Sequence, residues 1–378
     1  MSKINKYLSS KIKIVSFICI LMVVYVHNYN YTDYYLEITT TITEGLNYGT
    51  IIEYFICNGV TRVCIPLFFL MSGYLFFLGC DFSLSKYVYK VKSRFVSLVI
   101  PYLIWSALGI LFLWLFRDVD IIPVNDMKET LSNDGIIELF KNPPSYQMWY
   151  IKQLYIYVLA SPVFYFILKN NYLSIVYFVV TCIIWFIDLK CGVLSTEGLL
   201  FFGLGAYLAL HRREDIIMKE KSKNNIITFL IIWMGLVLVK TIISGLGIEG
   251  TTPRALYRIA ELVGVYVTWY GTDYILKNKS ITDKLLSLSG YTFFIFCFHE
   301  PCLNFFMHYN TKYFTSSILG RLITYFVYTN LGIILCIAIG KVLKTYAGSL
   351  YNILCGSRGS KKNELKVSEK ITNNNSIN

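Results

Sequence analysis

The chain has 378 residues, of which 55% are hydrophobic and 15% charged, against roughly 25% charge in a soluble domain. So apolar a chain cannot cover itself with polar groups, which excludes an ordinary water-soluble globule and makes lipid the solvent for much of it. The net charge of +12 raises nucleic acid as a partner, but Lys and Arg lie in short segments between apolar runs, which excludes that reading and marks them as membrane-topology signals.

A bilayer core takes about 20 mostly apolar residues per helix. That length predicts an all-α, polytopic transmembrane bundle of about ten helices, at 12–29, 61–79, 95–116, 147–168, 173–189, 193–210, 226–246, 257–276, 285–305 and 321–345. The first span follows Lys3, Lys6, Lys11 and Lys13 and ends at His27-Asn28-Tyr29-Asn30 with no small-residue cleavage site. It therefore reads as a retained signal anchor. The segment after it carries Asp33, Glu37, Glu44 and Glu53, and the next connection carries Lys86, Lys90, Lys92 and Arg94. Residues 117–146 are net acidic; residues 211–225, with Arg212, Arg213, Lys219, Lys221 and Lys223, are basic. By the positive-inside rule this alternation predicts both termini in the cytoplasm, a parity that an even number of spans satisfies. Residues 1–346 form one membrane domain, and 347–378 a basic cytoplasmic tail expected to be disordered. The ten cysteines contain no CxxC pair and mostly fall in apolar runs. They read as small buried hydrophobes, and no metal is expected.

Ionisable groups inside spans are costly and mark functional sites. At 1.5 Å per residue His27 lies about 22 Å into the first span, and His299 and Glu300 about 21 Å into the ninth. Arg62, Lys152, Glu197, Arg258 and Glu261 fall near the outer ends of their own spans. Antiparallel helices thus bring polar groups to one slab, and a single polar cavity toward the outer leaflet is expected. Each residue also has a simpler reading. His27 can bond a neighbouring helix, Arg62, Lys152 and Lys240 can snorkel, and Arg258 and Glu261, one turn apart, can pair. His211 and His308 fall in connections and are expected to be solvated. On these grounds a transferase and a transporter fit equally well.

The motifs separate the two. KIKIVSFICILMVVYVHNY ends in His27; TRVCIPLFFLMSGYLFF holds Arg62, Pro66 and Ser72-Gly73-Tyr74. KVKSRFVSLVIPYLIW holds Arg94, Pro101 and Trp105; MWYIKQLYIYVLASP holds Trp149 and Pro162; and FHEP holds His299, Glu300 and Pro301. In this order and spacing, over about residues 11–345, the chain resembles acyltransferase family 3 of membrane-bound O-acyltransferases. One departure stands out: many members carry an Arg eleven residues before the first-helix His, and here that residue is Ser16, with Lys13 one turn earlier. The resemblance implies transfer of an acetyl group from acetyl-CoA to a hydroxyl of a surface glycan or lipid-linked precursor, in a bacterial cytoplasmic membrane. His27 would be the general base, with Arg62, His299 and Glu300 beside it. Lys90, Lys92 and Arg94 would hold the phosphates of acetyl-CoA, although topology alone also accounts for them. Members sometimes carry a further esterase-like domain; without one, this chain is expected to complete transfer itself or to hand over to a separate protein. The rival readings are a transporter or flippase of a glycan precursor or small anion, and a member that has lost catalysis.

Overall fold

The computed structural model describes residues 5–29, 42, 45–79, 83–115, 145–189, 191, 192, 194–313 and 317–357. The acidic positions Asp33, Glu37 and Glu44, nearly all of the acidic 117–146 connection, and the tail from 358 lie outside them. The described residues are helical throughout, apart from turns and one isolated bridge. In chain order the helices are α1 (Lys6–His27), α2 (Tyr48–Cys57), a 3₁₀ turn (Val60–Val63), α3 (Cys64–Phe77), α4 (Leu84–Arg94), a π-helical turn (Phe95–Val99) and α5 (Ile100–Leu115). After them come α6 (Met148–Leu159), α7 (Ser161–Lys169), α8 (Asn171–Ile187), α9 (Thr196–Leu210), the single turn α10 (Glu214–Ile217) and α11 (Lys223–Gly245). The chain continues through α12 (Thr251–Lys277), α13 (Lys279–Ser289), α14 (Thr292–Tyr313), α15 (Ile318–Tyr346) and α16 (Gly348–Leu354).

Each of the ten predicted spans falls on helix, but the number that qualify as crossings by length and apolarity is smaller. Among the described residues five helical stretches qualify, and seven if each bent pair is one span. The bends are 60° between α6 and α7 and 54° between α13 and the start of α14. At 17 and 15 residues, α8 and α9 reach about 25 and 22 Å, short of a hydrocarbon core of about 30 Å. α12 is long enough, but it carries Arg254, Arg258, Glu261 and Asp273. The tail also begins differently from expectation. Residues 348–354 are helical, with Tyr351 and Leu354 buried, and the Trp105 indole donates to the Leu354 carbonyl at 3.0 Å.

Two features hold the bundle in register. α3 and α9 lie backbone to backbone. A Cβ on Gly73 would sit 2.1 Å from the Phe202 carbonyl oxygen, and one on Gly205 2.0 Å from that of Leu70. Glycine in the Ser72-Gly73-Tyr74 motif is therefore a packing requirement, as where small residues let membrane helices touch. The second feature fixes α1 at both ends. Near its start Lys11, fully buried, pairs with Asp273 of α12 at 2.7 Å and sits over the Trp269 ring, while Tyr7 donates to the same Asp273 at 2.6 Å. Just past its end, the Asn28 amide donates to the Tyr325 carbonyl at 2.9 Å and to Thr329 Oγ1 at 2.8 Å on α15.

Candidate functional site

His27 is the last residue of α1, and α14 brings His299 and Glu300 beside it. His27 Nδ1 lies 3.2 Å from Glu300 Oε2. An ionised carboxylate only accepts, so Nδ1 is the donor in this contact, and in a neutral imidazole Nε2 is then the basic nitrogen. The His299 ring stands edge-on to that of His27 with centroids 5.1 Å apart. Its Nδ1 lies 2.9 Å from the Ile295 carbonyl, which also only accepts. His299 Nε2 is thereby left as an acceptor, buried and with no hydrogen-bond partner among the described residues. Ligand atoms of His27, His299 and Glu300 all lie within 4.8 Å of one another. Two imidazoles and a carboxylate form a donor set that a divalent ion such as zinc accepts; the same arrangement serves proton transfer.

The structure adds Gln147, which the sequence reading passed over. Pro301 has no N–H, so within α14 it cannot donate to the Cys297 carbonyl four residues earlier. The Gln147 amide donates to that carbonyl instead, at 3.2 Å. Gln147 Oε1 is buried without a hydrogen-bond partner among the described residues. The side chain lines a void of about 30 Å³ that His27 also lines, with Val23, Val26, Cys64, Phe68 and Tyr150 among the other walls. The proline of FHEP thus frees the carbonyl that holds Gln147 next to His27.

A much larger cavity, about 890 Å³, lies toward the basic end of the bundle. Lys6 and Lys13 of α1, Arg94 at the end of α4 and Lys344 near the end of α15 line it. Ser16 lines it too, so the departure from the family pattern and its neighbour Lys13 both face this cavity. Of the three predicted phosphate-binding residues only Arg94 does. Lys90 turns back to donate to the Phe76 carbonyl, and Lys92 is exposed. Among the lining cations, the sequence marks Lys6 only as part of the basic stretch before the first span and does not single out Lys344, because their convergence depends on the packing of α1 against α15.

The remaining predicted polar residues do not share one cavity. Arg62 is buried in the 3₁₀ turn, two residues before Cys64. It is not among the residues lining the void at His27, and it lies within electrostatic range of Lys240, Tyr54 and Tyr257. Lys240 is buried and donates to Tyr54 Oη at 2.8 Å, so it does not snorkel. Arg258 binds Glu197 at 3.0 Å, Glu261 at 3.3 Å and Asp188 at 3.1 Å, and it stacks on Trp185. The slab seen along the sequence is therefore several polar clusters at similar depth on different helix faces. His211 is not simply solvated either, since its Nε2 lies 2.8 Å from the Leu168 carbonyl. His308 falls on α14, and its side chain is outside the described residues.

Helices fit to cross a bilayer, a part-buried His–Glu pair and a large cavity with a basic rim define an integral membrane protein with a polar site beside a basic cavity. A family model for an acyltransferase domain, that of acyltransferase family 3, matches residues 11–341, and the chain belongs to that family. No curated protein and no solved structure matches it significantly.

Proposed function

We propose that the protein transfers an acetyl group from acetyl-CoA to a hydroxyl of a cell-surface polysaccharide or its lipid-linked precursor. The observation that carries this reading is the His27–Glu300 pair, 3.2 Å apart, beyond the inner end of a cavity rimmed with cations. A sugar hydroxyl is a poor nucleophile, and His27 Nε2 takes its proton as the oxygen attacks the thioester carbonyl. The tetrahedral adduct then collapses, the C–S bond breaks, and the proton passes from His27 to the departing CoA thiolate. Glu300 keeps the imidazole in the productive tautomer and offsets the positive charge it acquires during the step. Arg62, two residues before the void-lining Cys64 and outside the wall itself, adds positive charge from behind it.

The anionic end of acetyl-CoA suits the rim of Lys6, Lys13, Arg94 and Lys344. These residues sit at the helix ends that the Lys/Arg distribution assigns to the cytoplasm, where acetyl-CoA is found. Ten spans with both termini cytoplasmic, in a bacterial cytoplasmic membrane, fit this arrangement. The test compares cells producing wild-type and His27→Gln protein. Mass analysis of their surface glycans is expected to show acetyl groups only with the wild type, and wild-type membranes release CoA from acetyl-CoA. Glycan export that depends on the protein without thioester cleavage would instead identify a transporter.

A further inference from the structure

The large cavity and the small void at His27 share three lining residues, Phe68 of α3, Tyr150 of α6 and Phe296 of α14. Their rings form a continuous partition, with centroids 5.8 Å apart for Phe68–Tyr150 and 6.1 Å for Tyr150–Phe296. The partition is supported from both sides. Phe69 lies 4.8 Å behind Tyr150, Phe293 stacks on Phe296 at 6.0 Å, and Ser72 Oγ hydrogen-bonds Tyr150 Oη at 3.1 Å. Beyond it the void measures about 30 Å³, where about 10–15 Å³ on the same measure holds one water. His27 and Gln147 are its polar walls, and the rest are apolar or aromatic side chains.

From this geometry we infer that the aromatic partition selects the donor by acyl-chain length, admitting a two-carbon acyl group to His27 and rejecting longer ones. The inference rests on the acyl transfer proposed above and adds the residues that measure the chain. A donor in the large cavity reaches His27 across the shared wall by passing its acyl end between the three rings. A methyl occupies roughly the space of a water, whereas a propionyl or butyryl tail needs one of the rings to leave its supported position. Each surplus methylene in a tight apolar pocket costs about ten- to two-hundred-fold in selectivity. Phe68 and Phe296 touch the chain and not the reacting atoms, so they set specificity and take no part in the chemistry.

The experiment uses membrane vesicles from cells producing the full chain, given acetyl-, propionyl- or butyryl-CoA labelled in the acyl group. The readout is label transferred to the vesicle glycan, and His27→Gln vesicles supply the background. Wild type is expected to favour acetyl over butyryl by at least a hundredfold. Phe68→Ala, and separately the milder Phe296→Leu, should raise the butyryl-to-acetyl ratio tenfold or more, whatever becomes of the acetyl rate itself. An unchanged ratio in both variants, or a wild type that takes butyryl as readily as acetyl, overturns the selection role while leaving acyl transfer intact. Should none of the three thioesters label the glycan with the wild-type chain, acyl transfer itself fails, and the selection role with it.

Discussion

Around His27 the part-buried contact with Glu300 and the buried one from Gln147 to the Cys297 carbonyl determine what each substitution does. His27→Gln retains a hydrogen-bonding side chain but cannot accept and return a proton near neutral pH. Transfer should fall by about 10²–10⁴-fold while the protein still inserts and accumulates; near-normal glycan acetylation would sink the mechanism. Glu300→Gln removes only the ionic partner on Nδ1. A hydrogen bond to a charged group is worth roughly 1.5–3 kcal/mol, so kcat should drop about ten- to a hundredfold with little change in KM. Treating purified protein with a chelator separates proton transfer from a metal reading of the same three ligands: activity should persist, and a loss restored by zinc would make the cluster a metal site. Gln147→Leu leaves the Cys297 carbonyl without its amide donor and should lower kcat. Adding Pro301→Ala supplies an N–H for that carbonyl and should recover part of the fold's stability but not the rate, as a thermal midpoint and a kcat measured side by side would show. The FHEP motif was legible because two ionisable residues and a proline in an apolar run are each costly. Gln147 was not, since its role depends on a carbonyl made available by a helix about 150 positions away in sequence.

Among the elements, the contact of α3 with α9 makes the sharpest demand on sequence. Gly73→Ala drives a methyl to within 2.1 Å of a backbone oxygen that no side-chain rotation can move. The helices must part, at a cost of about 1–3 kcal/mol or more. Gly235 on α11 has no atom within 4 Å of an added Cβ, so Gly235→Ala should be neutral or stabilising by up to about 1 kcal/mol. Thermal unfolding in detergent should therefore shift in opposite directions, or at least very unequally, for the two variants. Helix positions were readable from apolar runs because a bilayer imposes a minimum length. The bends at Ala160 and Gly290 were not, and neither was the shortness of α8 and α9, since protein packing rather than lipid sets them. Depth along a helix follows from 1.5 Å per residue, but the face a side chain presents follows from neighbours. For that reason the shared cavity with His27 does not form from Arg258, Glu197 and Glu261: both glutamates bind Arg258, the Glu261 contact being the one-turn pairing that spacing allowed.

For the whole molecule, charge distribution makes the testable claim. With Lys6, Lys13, Arg94 and Lys344 gathered at one cavity, replacing Lys13 and Lys344 together by Gln should raise the KM for acetyl-CoA more than it lowers kcat. Such contacts act alike on ground and transition states; an unchanged KM would return these lysines to topology signalling. Cysteine labelling should reach residues placed in 117–146 from outside intact cells, and positions in 84–94 only after permeabilisation.

The two anchorages of α1 also limit how the machine can move. Buried ties to Asp273 near one end and to Tyr325 and Thr329 at the other make the helix a fixed post rather than a rocker arm. Alternating access of the kind that carries solutes across would swing such a helix against its neighbours, and here a swing would break a buried ion pair and several buried hydrogen bonds in every cycle. A gate made of rings needs no such swing. An acetyl group passing between Phe68, Tyr150 and Phe296 leaves the rings and the helices behind them in place, so the proposed passage to His27 is a mesh set in a rigid frame.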